Sequence, residues 1–245
     1  MMVSLVIPTL NEAENILPLI KRLDEVLGGP REIIVVDDDS HDGTWKIATE
    51  SAPLFPNSHL RVVRRRQDHG LARSLQAGLD VARGDIVVIM DADLSMPPEM
   101  VPELVRRVVA GNDLAIGSRY LPGGSPKGHF PGAKDSRLGV WLSSALNVVL
   151  RLWLSPRVTD YTSGFAAVRR ELLEDISFCG RHGEYFIALA YLAQKRGYKV
   201  VEVPYACCSR ARGESKTGRR PWDYARRGWR YAAVAVGLRF GFGVE

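Results

Sequence analysis

The sequence predicts an α/β fold in which a single domain is built on a mostly parallel central sheet with helices on both faces. Short apolar runs alternate with longer segments of helical spacing from Val3 to Tyr120, which is typical of a doubly wound sheet. Several of the short runs are apolar at every position, as expected for strands that are buried on both faces. The length of 245 residues fits one large domain, or one domain with an appendage.

The first half of the chain predicts alternating strands and helices. Proline closes the first strand at Pro8, and Asn11 is predicted to cap the helix that follows. Gly78 is the small member of the apolar face of the third helix, where a neighbouring element can pack closely. Pro97 and Pro98 open the fourth helix, since proline is tolerated in a first helical turn. The predicted strands cover residues 3–8, 33–36, 60–63, 86–90 and 114–116, and the helices between them begin near residues 11, 44, 70 and 97.

The second half of the chain is more varied. Residues 122–132 are rich in Gly and Pro and predict a mobile loop over the sheet edge. Residues 138–154 are strongly apolar, with Trp141 and Trp153 near the ends, and two interpretations stay open: a buried helix, or a helix that lies in a membrane interface. Short strands are predicted at 166–168 and 199–204, and a further helix begins near Trp222.

The net charge of +5 is unevenly distributed, because basic residues are concentrated between Arg210 and Arg230. Such a region suits nucleic acid, anionic lipid headgroups or phosphorylated small molecules, or it is a solvated helical face. No apolar run is long enough to span a bilayer, and the N-terminus shows no signal-peptide pattern. The three cysteines form neither a disulfide framework nor a metal-ligand pattern, so a reducing, cytoplasmic setting is expected.

Acidic residues follow the predicted strands. Asp91 and Asp93 come directly after the apolar run 86–90, and residues 37–39 are three consecutive aspartates after another strand. Ligands of open α/β sheets bind where strands end, and hard cations such as Mg²⁺ or Mn²⁺ take carboxylate ligands and bridge to substrate phosphates. The alternative for an isolated Asp-x-Asp is an ordinary turn, in which Asp is common. Together the strand ends predict an acidic crevice that suits a metal ion and a nucleotide diphosphate.

Two other nucleotide-binding folds are disfavoured by the same strand ends. The first strand is followed by Pro-Thr-Leu-Asn-Glu, whereas a dinucleotide-binding Rossmann domain has a Gly-rich phosphate turn at that point. The Walker pattern of P-loop phosphotransferases is also missing from the sequence.

Six short motifs then occur in one order along the chain. They are Pro-Thr-Leu-Asn-Glu, Val-Asp-Asp-Asp-Ser-His-Asp-Gly-Thr, Met-Asp-Ala-Asp-Leu-Ser-Met-Pro-Pro-Glu, Gly-Ser-Arg-Tyr, Thr-Ser-Gly-Phe-Ala-Ala-Val-Arg and Arg-Ala-Arg-Gly-Glu-Ser-Lys. In this the chain resembles the dolichol-phosphate mannosyltransferase group of family 2 inverting glycosyltransferases, which have the A-type glycosyltransferase fold. The resemblance covers residues from Val3 to about Lys216. It implies transfer of a sugar from a nucleotide sugar, with GDP-mannose favoured, to a polyprenyl (dolichyl-type) monophosphate.

The resemblance also implies roles for individual residues. Asp91 and Asp93 would hold Mg²⁺ or Mn²⁺ and the diphosphate, Arg119 would act beside them in catalysis, and Asp160 and Gly164 would border the sugar and acceptor pocket. The implied acceptor residues are Arg119, Arg137 and Ser163. The implied nucleotide-sugar residues are Pro8, Leu10, Glu12, Val36, Asp38, Asp91, Ala92, Asp93, Arg210 and Lys216.

The sequence departs from the family pattern at three places. Leu10 stands where an aromatic residue is usual, and Ser95 stands where a glutamine often neighbours the metal, so Ser95 is taken as a metal-site residue whose place a water can share. The third departure is the length of the acceptor loop, which prevents a clean alignment of its arginine; that arginine is assigned to Arg137, with Lys134 as the alternative.

The implied domain organisation is a catalytic unit over residues 1–218, which includes an interface helix near 138–154, and a basic amphipathic helix over 219–245. The expected location is the cytoplasmic face of a membrane, with peripheral attachment and a separate membrane subunit as a further partner. The alternatives are a UDP-glucose or other hexosyltransferase, a transferase with a soluble acceptor, and a non-catalytic nucleotide-sugar binder. Nucleic-acid binding is disfavoured by the acidic crevice and by the absence of a recognition motif.

Overall fold

The computed structural model describes residues 1–126, 137–176, 178, 183–208 and 221–241, with the backbone alone for residues 137, 138 and 221–227. It confirms the α/β fold. The strands are β1 (Val3–Thr9), β2 (Arg31–Asp37), β3 (His59–Arg64), β4 (Ile86–Ile89), β5 (Leu114–Ser118), β6 (Ala166–Arg169) and β7 (Val200–Pro204). The helices are α1 (Ala13–Val26), α2 (Thr44–Ser51), α3 (Leu71–Val81), α4 (Val101–Val109), α5 (Arg137–Trp153), α6 (Arg170–Asp175), α7 (Glu184–Lys195) and α8 (Pro221–Phe240).

One sheet contains these strands in the order β3-β2-β1-β4-β6-β5-β7. Neighbouring strands are parallel except for β6, which runs antiparallel to both β4 and β5. Because β6 is reversed, its first residue lies at the edge where the parallel strands end, and Ile89 is paired with Ala166 there. The turn that precedes β6 therefore joins the ends of β1, β2, β4 and β5 at one edge of the sheet.

The core lies on both faces of the sheet, which explains why β1, β2 and β4 contain consecutive apolar residues. In β1, Val6 packs on one face with Ile34 and Val36, while Leu5 and Ile7 pack on the other. Each of these side chains is fully buried. Gly78 confirms the predicted close approach of α3, because a Cβ there would lie 2.4 Å from Val6 Cγ1.

Two local predictions were wrong. Asn11 does not cap α1; its backbone is left-handed (φ 51°), and its Oδ1 accepts a hydrogen bond from the His41 backbone N–H (3.1 Å). The first N–H of α1, that of Ala13, instead donates to Asp42 Oδ2 from the turn after β2 (2.9 Å). At Pro98 the chain forms a short 3-10 turn, and α4 begins only at Val101.

Helices α5 and α8 share an exposed apolar surface. Large side chains that project from α5 are exposed at helical spacing, and α8 repeats the pattern at positions 229, 236 and 240. The two helices meet where Trp153 contacts Phe240 edge-on, with ring centroids 6.2 Å apart, and the Trp153 Nε1–H donates to the Ala235 carbonyl (3.3 Å). We define the two-helix apolar surface as Trp141, Val148, Val149, Leu152, Trp153, Trp229, Val236 and Phe240.

The opposite side of α5 is buried, through Asn147 and Leu150. Helix α5 is therefore neither wholly buried nor wholly exposed: one side packs on the core, and the other is an exposed apolar face. Among the helices in the described part of the chain, none combines the length and the apolar character that crossing a bilayer requires.

Candidate active site

The first polar cluster at the sheet edge joins the ends of β1 and β2. The Asp37 carboxylate is fully buried and accepts hydrogen bonds from the Thr9 hydroxyl (2.8 Å), the Ser40 backbone N–H (2.8 Å) and the Ser40 hydroxyl (2.6 Å). Asp37 thus ties the two strand ends together, and its role within the described structure is to shape the turn.

Asp38, which the family resemblance assigns to the nucleotide, is held by three groups of the chain itself. Its Oδ1 accepts from Arg65 Nη1 (2.6 Å) and the Ser74 hydroxyl (2.7 Å), and its Oδ2 accepts from the Gly70 backbone N–H (2.8 Å). Gly70 has φ 146°, a conformation that L-residues rarely adopt. The carboxylate is therefore fixed in orientation, a precondition for specific recognition at a site.

The other residues assigned to the nucleotide differ in exposure. Leu10 is 41% exposed beside the crevice, whereas Glu12 is buried and accepts a hydrogen bond from Asn15 Nδ2 (2.7 Å). Pro8 is half-buried at the end of β1, where it is paired with Val36. The Val36 side chain is fully buried against α3, so only its backbone is left to face a ligand.

Asp91 and Asp93 lie directly beyond β4, in a tight turn. The Ser95 backbone N–H donates to Asp93 Oδ1 (2.9 Å), and the intervening Leu94 is left-handed with φ 61°. The sequence left two interpretations of Asp91 and Asp93, an ordinary turn or a metal site, and the structure does contain the turn. The turn fixes the orientation of the Asp93 carboxylate. Ala92, between the two aspartates, is buried. A left-handed Leu is strained, and such strain concentrates at functional sites.

The two carboxylates suit a divalent cation only with help from a substrate. Within the described residues, no group of three or more His, Cys, Asp or Glu side chains is arranged to hold a metal ion. Two carboxylates together with diphosphate oxygens and water form the kind of incomplete oxygen shell that Mg²⁺ and Mn²⁺ use in nucleotide sites. The Asp91 and Asp93 donor set therefore fits such a cation. Ser95 contributes its backbone amide to the turn.

Arg119 is held across the edge by the fully buried Asp160. Arg119 Nε and Nη2 donate to the two Asp160 oxygens (both 2.7 Å), and Nη2 also donates to the Thr162 hydroxyl (2.9 Å). Burial lowers the pKa of Arg119, but the adjacent Asp160 outweighs burial and raises that pKa well above its usual value. Three of the five guanidinium N–H groups are used in this way, and in the described part of the chain the Nη1 group has no hydrogen-bond partner.

The Ser163–Gly164 turn enters β6 at the same edge. The Ser163 hydroxyl donates to the Gly117 carbonyl and accepts from the Phe165 N–H (3.2 Å), so it organises the turn rather than standing free. Gly164 has φ 70°, and a Cβ added there would lie 3.5 Å from the Tyr185 hydroxyl. The turn is thus packed closely over a buried tyrosine.

Two buried tyrosines near the carboxylates were missed by sequence reasoning. Burial raises the pKa of Tyr185 well above its usual value, and the nearby negative charge of Asp91 adds to this effect. Burial likewise raises the pKa of Tyr205, against an opposing contribution from Arg119 and with support from Asp160 and Asp91. Both phenols stay protonated at neutral pH and can act as hydrogen-bond donors at this edge of the sheet. Neither belongs to a recognisable motif.

The chain after β7 also contributes to the edge. The Cys208 backbone N–H donates to the Ser95 carbonyl, and Ser125 pairs with Ala206 (Ser125 N–H to Tyr205 carbonyl, 3.1 Å). The Gly- and Pro-rich stretch is therefore anchored at its start. The predicted residues Lys134, Arg210 and Lys216 lie outside the described residues, and for Arg137 the structure gives only the backbone at the start of α5.

Comparison with known proteins places this geometry in context. The sequence model described as Glycosyl transferase family 2 matches residues 4–177 of the chain. A dolichol-phosphate mannosyltransferase from Pyrococcus furiosus is 39% identical over 231 residues, covering 92% of this chain but only 62% of that protein. A polyprenol monophosphomannose synthase from Mycolicibacterium smegmatis is 39% identical over 218 residues, covering 86% of this chain and 79% of that protein.

A solved structure shares the fold over nearly the whole chain. It is glucosyl-3-phosphoglycerate synthase from Mycobacterium tuberculosis in complex with Mn²⁺, uridine diphosphate and glucosyl-3-phosphoglycerate. The TM-score is 0.71 at 27% identity, and the match covers 99% of this chain and 81% of that one. That structure has an A-type glycosyltransferase fold, which confirms the predicted fold class.

Proposed function

The chain belongs to glycosyl transferase family 2, and on that premise we propose that it transfers mannose from GDP-mannose to a polyprenyl monophosphate with inversion at the anomeric carbon. The observation that carries the proposal is the placement of the Asp91–Asp93 turn and the Arg119 guanidinium at one sheet edge. One side of this edge suits a metal-bound diphosphate, and the other suits a second anion. The names of the two relatives pair mannose with dolichol phosphate and with a polyprenol phosphate, which supports the sugar and the acceptor class proposed here.

On the donor side, Asp91 and Asp93 would hold Mg²⁺ or Mn²⁺ against the diphosphate of the nucleotide sugar. The cation, when bound, supplies positive charge that stabilises the leaving diphosphate. Arg210 and Lys216 are proposed to add to that charge, and Pro8, Leu10, Glu12, Val36 and Asp38 to surround the nucleotide. Leu10, being exposed at the mouth, offers an apolar contact where relatives use an aromatic residue.

On the acceptor side, the nucleophile is an anion before it binds. A phosphate monoester has a second pKa of about 6, so its oxygens need no strong general base at neutral pH. The work of the protein is then positioning and charge stabilisation. We assign the Arg119 Nη1 group to the attacking phosphate, and we propose Arg137 and Ser163 as further acceptor-binding residues. Attack from this side, opposite the diphosphate, inverts the anomeric centre.

The direct test is a panel of nucleotide sugars, which includes GDP-mannose and UDP-glucose, with polyprenyl monophosphate and either Mg²⁺ or Mn²⁺. We expect a lipid-linked sugar product from GDP-mannose, seen as label that partitions into organic solvent. UDP-glucose is the second candidate donor, because the structural relative was solved with uridine diphosphate. The absence of a lipid-linked product with every donor would refute the lipid acceptor.

The two-helix apolar surface gives the proposal a membrane component. A polyprenyl phosphate must be met at a bilayer, and an exposed apolar helix face with cations beside it is the pattern of interfacial attachment. Leu152 is 84% exposed and Trp229 is 76% exposed, while Arg239 lies exposed on α8. We propose peripheral attachment at the cytoplasmic face through this surface. In this proposed division, residues 1–218 are the catalytic unit, and residues 219–245 are a basic C-terminal segment that includes α8.

Flotation with anionic liposomes tests the attachment. We expect the Val149→Glu/Leu152→Glu double variant to lower the bound fraction by about 10-fold, because two charges would have to enter the apolar boundary. Leu54→Glu is the matched control, since Leu54 is also exposed (67%) but belongs to the segment after α2. Equal flotation of the double variant and the control would exclude this surface. If the unmodified chain fails to float, the lipid proposal is wrong and a separate membrane subunit becomes the partner to test.

A further inference from the structure

We propose that Glu202, on β7, is a positioning residue that sets the orientation of Arg119 toward the acceptor phosphate. The inference rests on the proposed function for its substrate, but the geometry behind it is independent of that function. Glu202 belongs to none of the motifs found in the sequence, and the proposed function gives it no role.

Glu202 receives three hydrogen bonds from the turn that carries Asp160. Its Oε2 accepts from the Thr159 backbone N–H (2.8 Å), and its Oε1 accepts from the Thr159 hydroxyl (2.8 Å) and the Asp160 backbone N–H (3.0 Å). The register of the sheet places Glu202 beside Ile116 of β5, two residues before Ser118. A rigid strand thus fixes the turn through both oxygens of one carboxylate.

The turn in turn fixes Arg119. The Ser118 and Thr159 hydroxyls are 2.7 Å apart, and Asp160 accepts from the Arg119 backbone N–H (3.1 Å) as well as from its side chain. With Nε and Nη2 committed to Asp160 and Thr162, the guanidinium is locked in one plane. The Nη1 edge is then the part left to meet a substrate oxygen, and Glu202 determines where that edge points.

A positioning role and a purely electrostatic role predict opposite effects of one substitution. Glu202→Gln removes a negative charge close to the acceptor anion, so a charge effect alone would tighten acceptor binding. Glutamine also replaces one acceptor oxygen with an NH₂ group, which must face an N–H or O–H donor of Thr159 or Asp160. Loss of that contact loosens the turn, so a positioning role weakens acceptor binding.

The experiment measures steady-state kinetics of Glu202→Gln with polyprenyl phosphate and the active nucleotide sugar. We expect KM for the acceptor to rise about 10-fold, as for one lost hydrogen bond to a charged group, with kcat and the donor KM changed less than about 3-fold. Thr159→Val, which removes only the hydroxyl, should shift the acceptor KM in the same direction. Glu50→Gln, on an exposed face of α2, is the control and should leave the acceptor KM, the donor KM and kcat unchanged.

A second measurement does not depend on activity. Exchange of the Arg119 Nε–H with solvent, followed by NMR, should be slow in the unmodified chain and about 10-fold faster in Glu202→Gln, while Glu50→Gln leaves it unchanged. An unchanged exchange rate, or a lower acceptor KM, would overturn the proposal. If no donor yields a lipid-linked product, the proposed function fails, and the exchange rate alone decides whether Glu202 positions Arg119.

Discussion

Asp93→Ala is expected to lower kcat/KM for sugar transfer by about 10³-fold, or about 4 kcal/mol of barrier, since it removes one of the two carboxylates proposed to hold the diphosphate metal. Transfer would be measured with saturating polyprenyl phosphate and a large excess of Mn²⁺, so that weakened metal affinity alone does not set the result. Near-normal turnover under these conditions would exclude the metal role of Asp93.

A second variant separates the charge of Asp93 from its place in the turn. Asp93→Asn retains an oxygen that can accept the hydrogen bond from the Ser95 N–H, so the turn and the thermal stability should be preserved. Activity should still fall close to the level of the alanine variant, because a neutral amide oxygen binds a divalent cation more weakly than a carboxylate does. Asp80→Ala, which alters an exposed carboxylate on α3, is the control and should leave both properties unchanged.

Arg119→Ala is expected to lower the free energy of unfolding by about 3–5 kcal/mol, because it leaves the fully buried Asp160 carboxylate without its partner. It should also lower transfer to polyprenyl phosphate by at least about 10²-fold, through loss of the acceptor contact. Chemical denaturation and initial rates measure the two effects separately.

The double variant Arg119→Ala/Asp160→Ala separates the effect of Arg119 on stability from its effect on transfer. Removing both partners abolishes the unpaired buried charge, so roughly half or more of the lost stability should return. Transfer should not return, because the guanidinium is still absent. Recovery of transfer together with stability would show that Arg119 acts only as a structural residue.

The strand ends show how far sequence reasoning reaches. Buried parallel strands are apolar on both faces, so the runs before Asp37 and Asp91 were visible as strands, and their carboxyl ends had to meet at one edge. The helix starts were harder, because the N-terminus of α1 is satisfied by Asp42 from another loop rather than by its own Asn11. A cap supplied from 29 positions along the chain leaves no local signal.

Partnerships between side chains were the part that sequence could not supply. The acidic residues look alike in the sequence, yet Asp37 is buried in a turn, Asp38 is bound by Arg65 and Ser74, and Asp93 accepts a hydrogen bond from the Ser95 amide. Arg119 could be assigned to phosphate by resemblance, but its lock on Asp160 depends on a contact 41 residues away. Three further residues reach the edge from the second half of the chain: Tyr185 from α7, Glu202 from β7 and Tyr205 just after β7. The hydrophobic periodicity of these elements says nothing about which of their residues face the site.

The reversed strand β6 has a consequence for synthesis of the chain on the ribosome. Strands β3, β2, β1 and β4 can pair as soon as residue 89 has emerged, but β4 and β5 are not neighbours, and β6 must enter between them. At translation rates of 5–20 residues per second, β4 therefore remains an open, apolar edge for roughly 4–15 s before residue 166 is made. The nascent chain is exposed to edge-to-edge aggregation during that interval. Because of this strand order, we expect the first half of the protein to depend on chaperones that cover the open edge of β4 during translation.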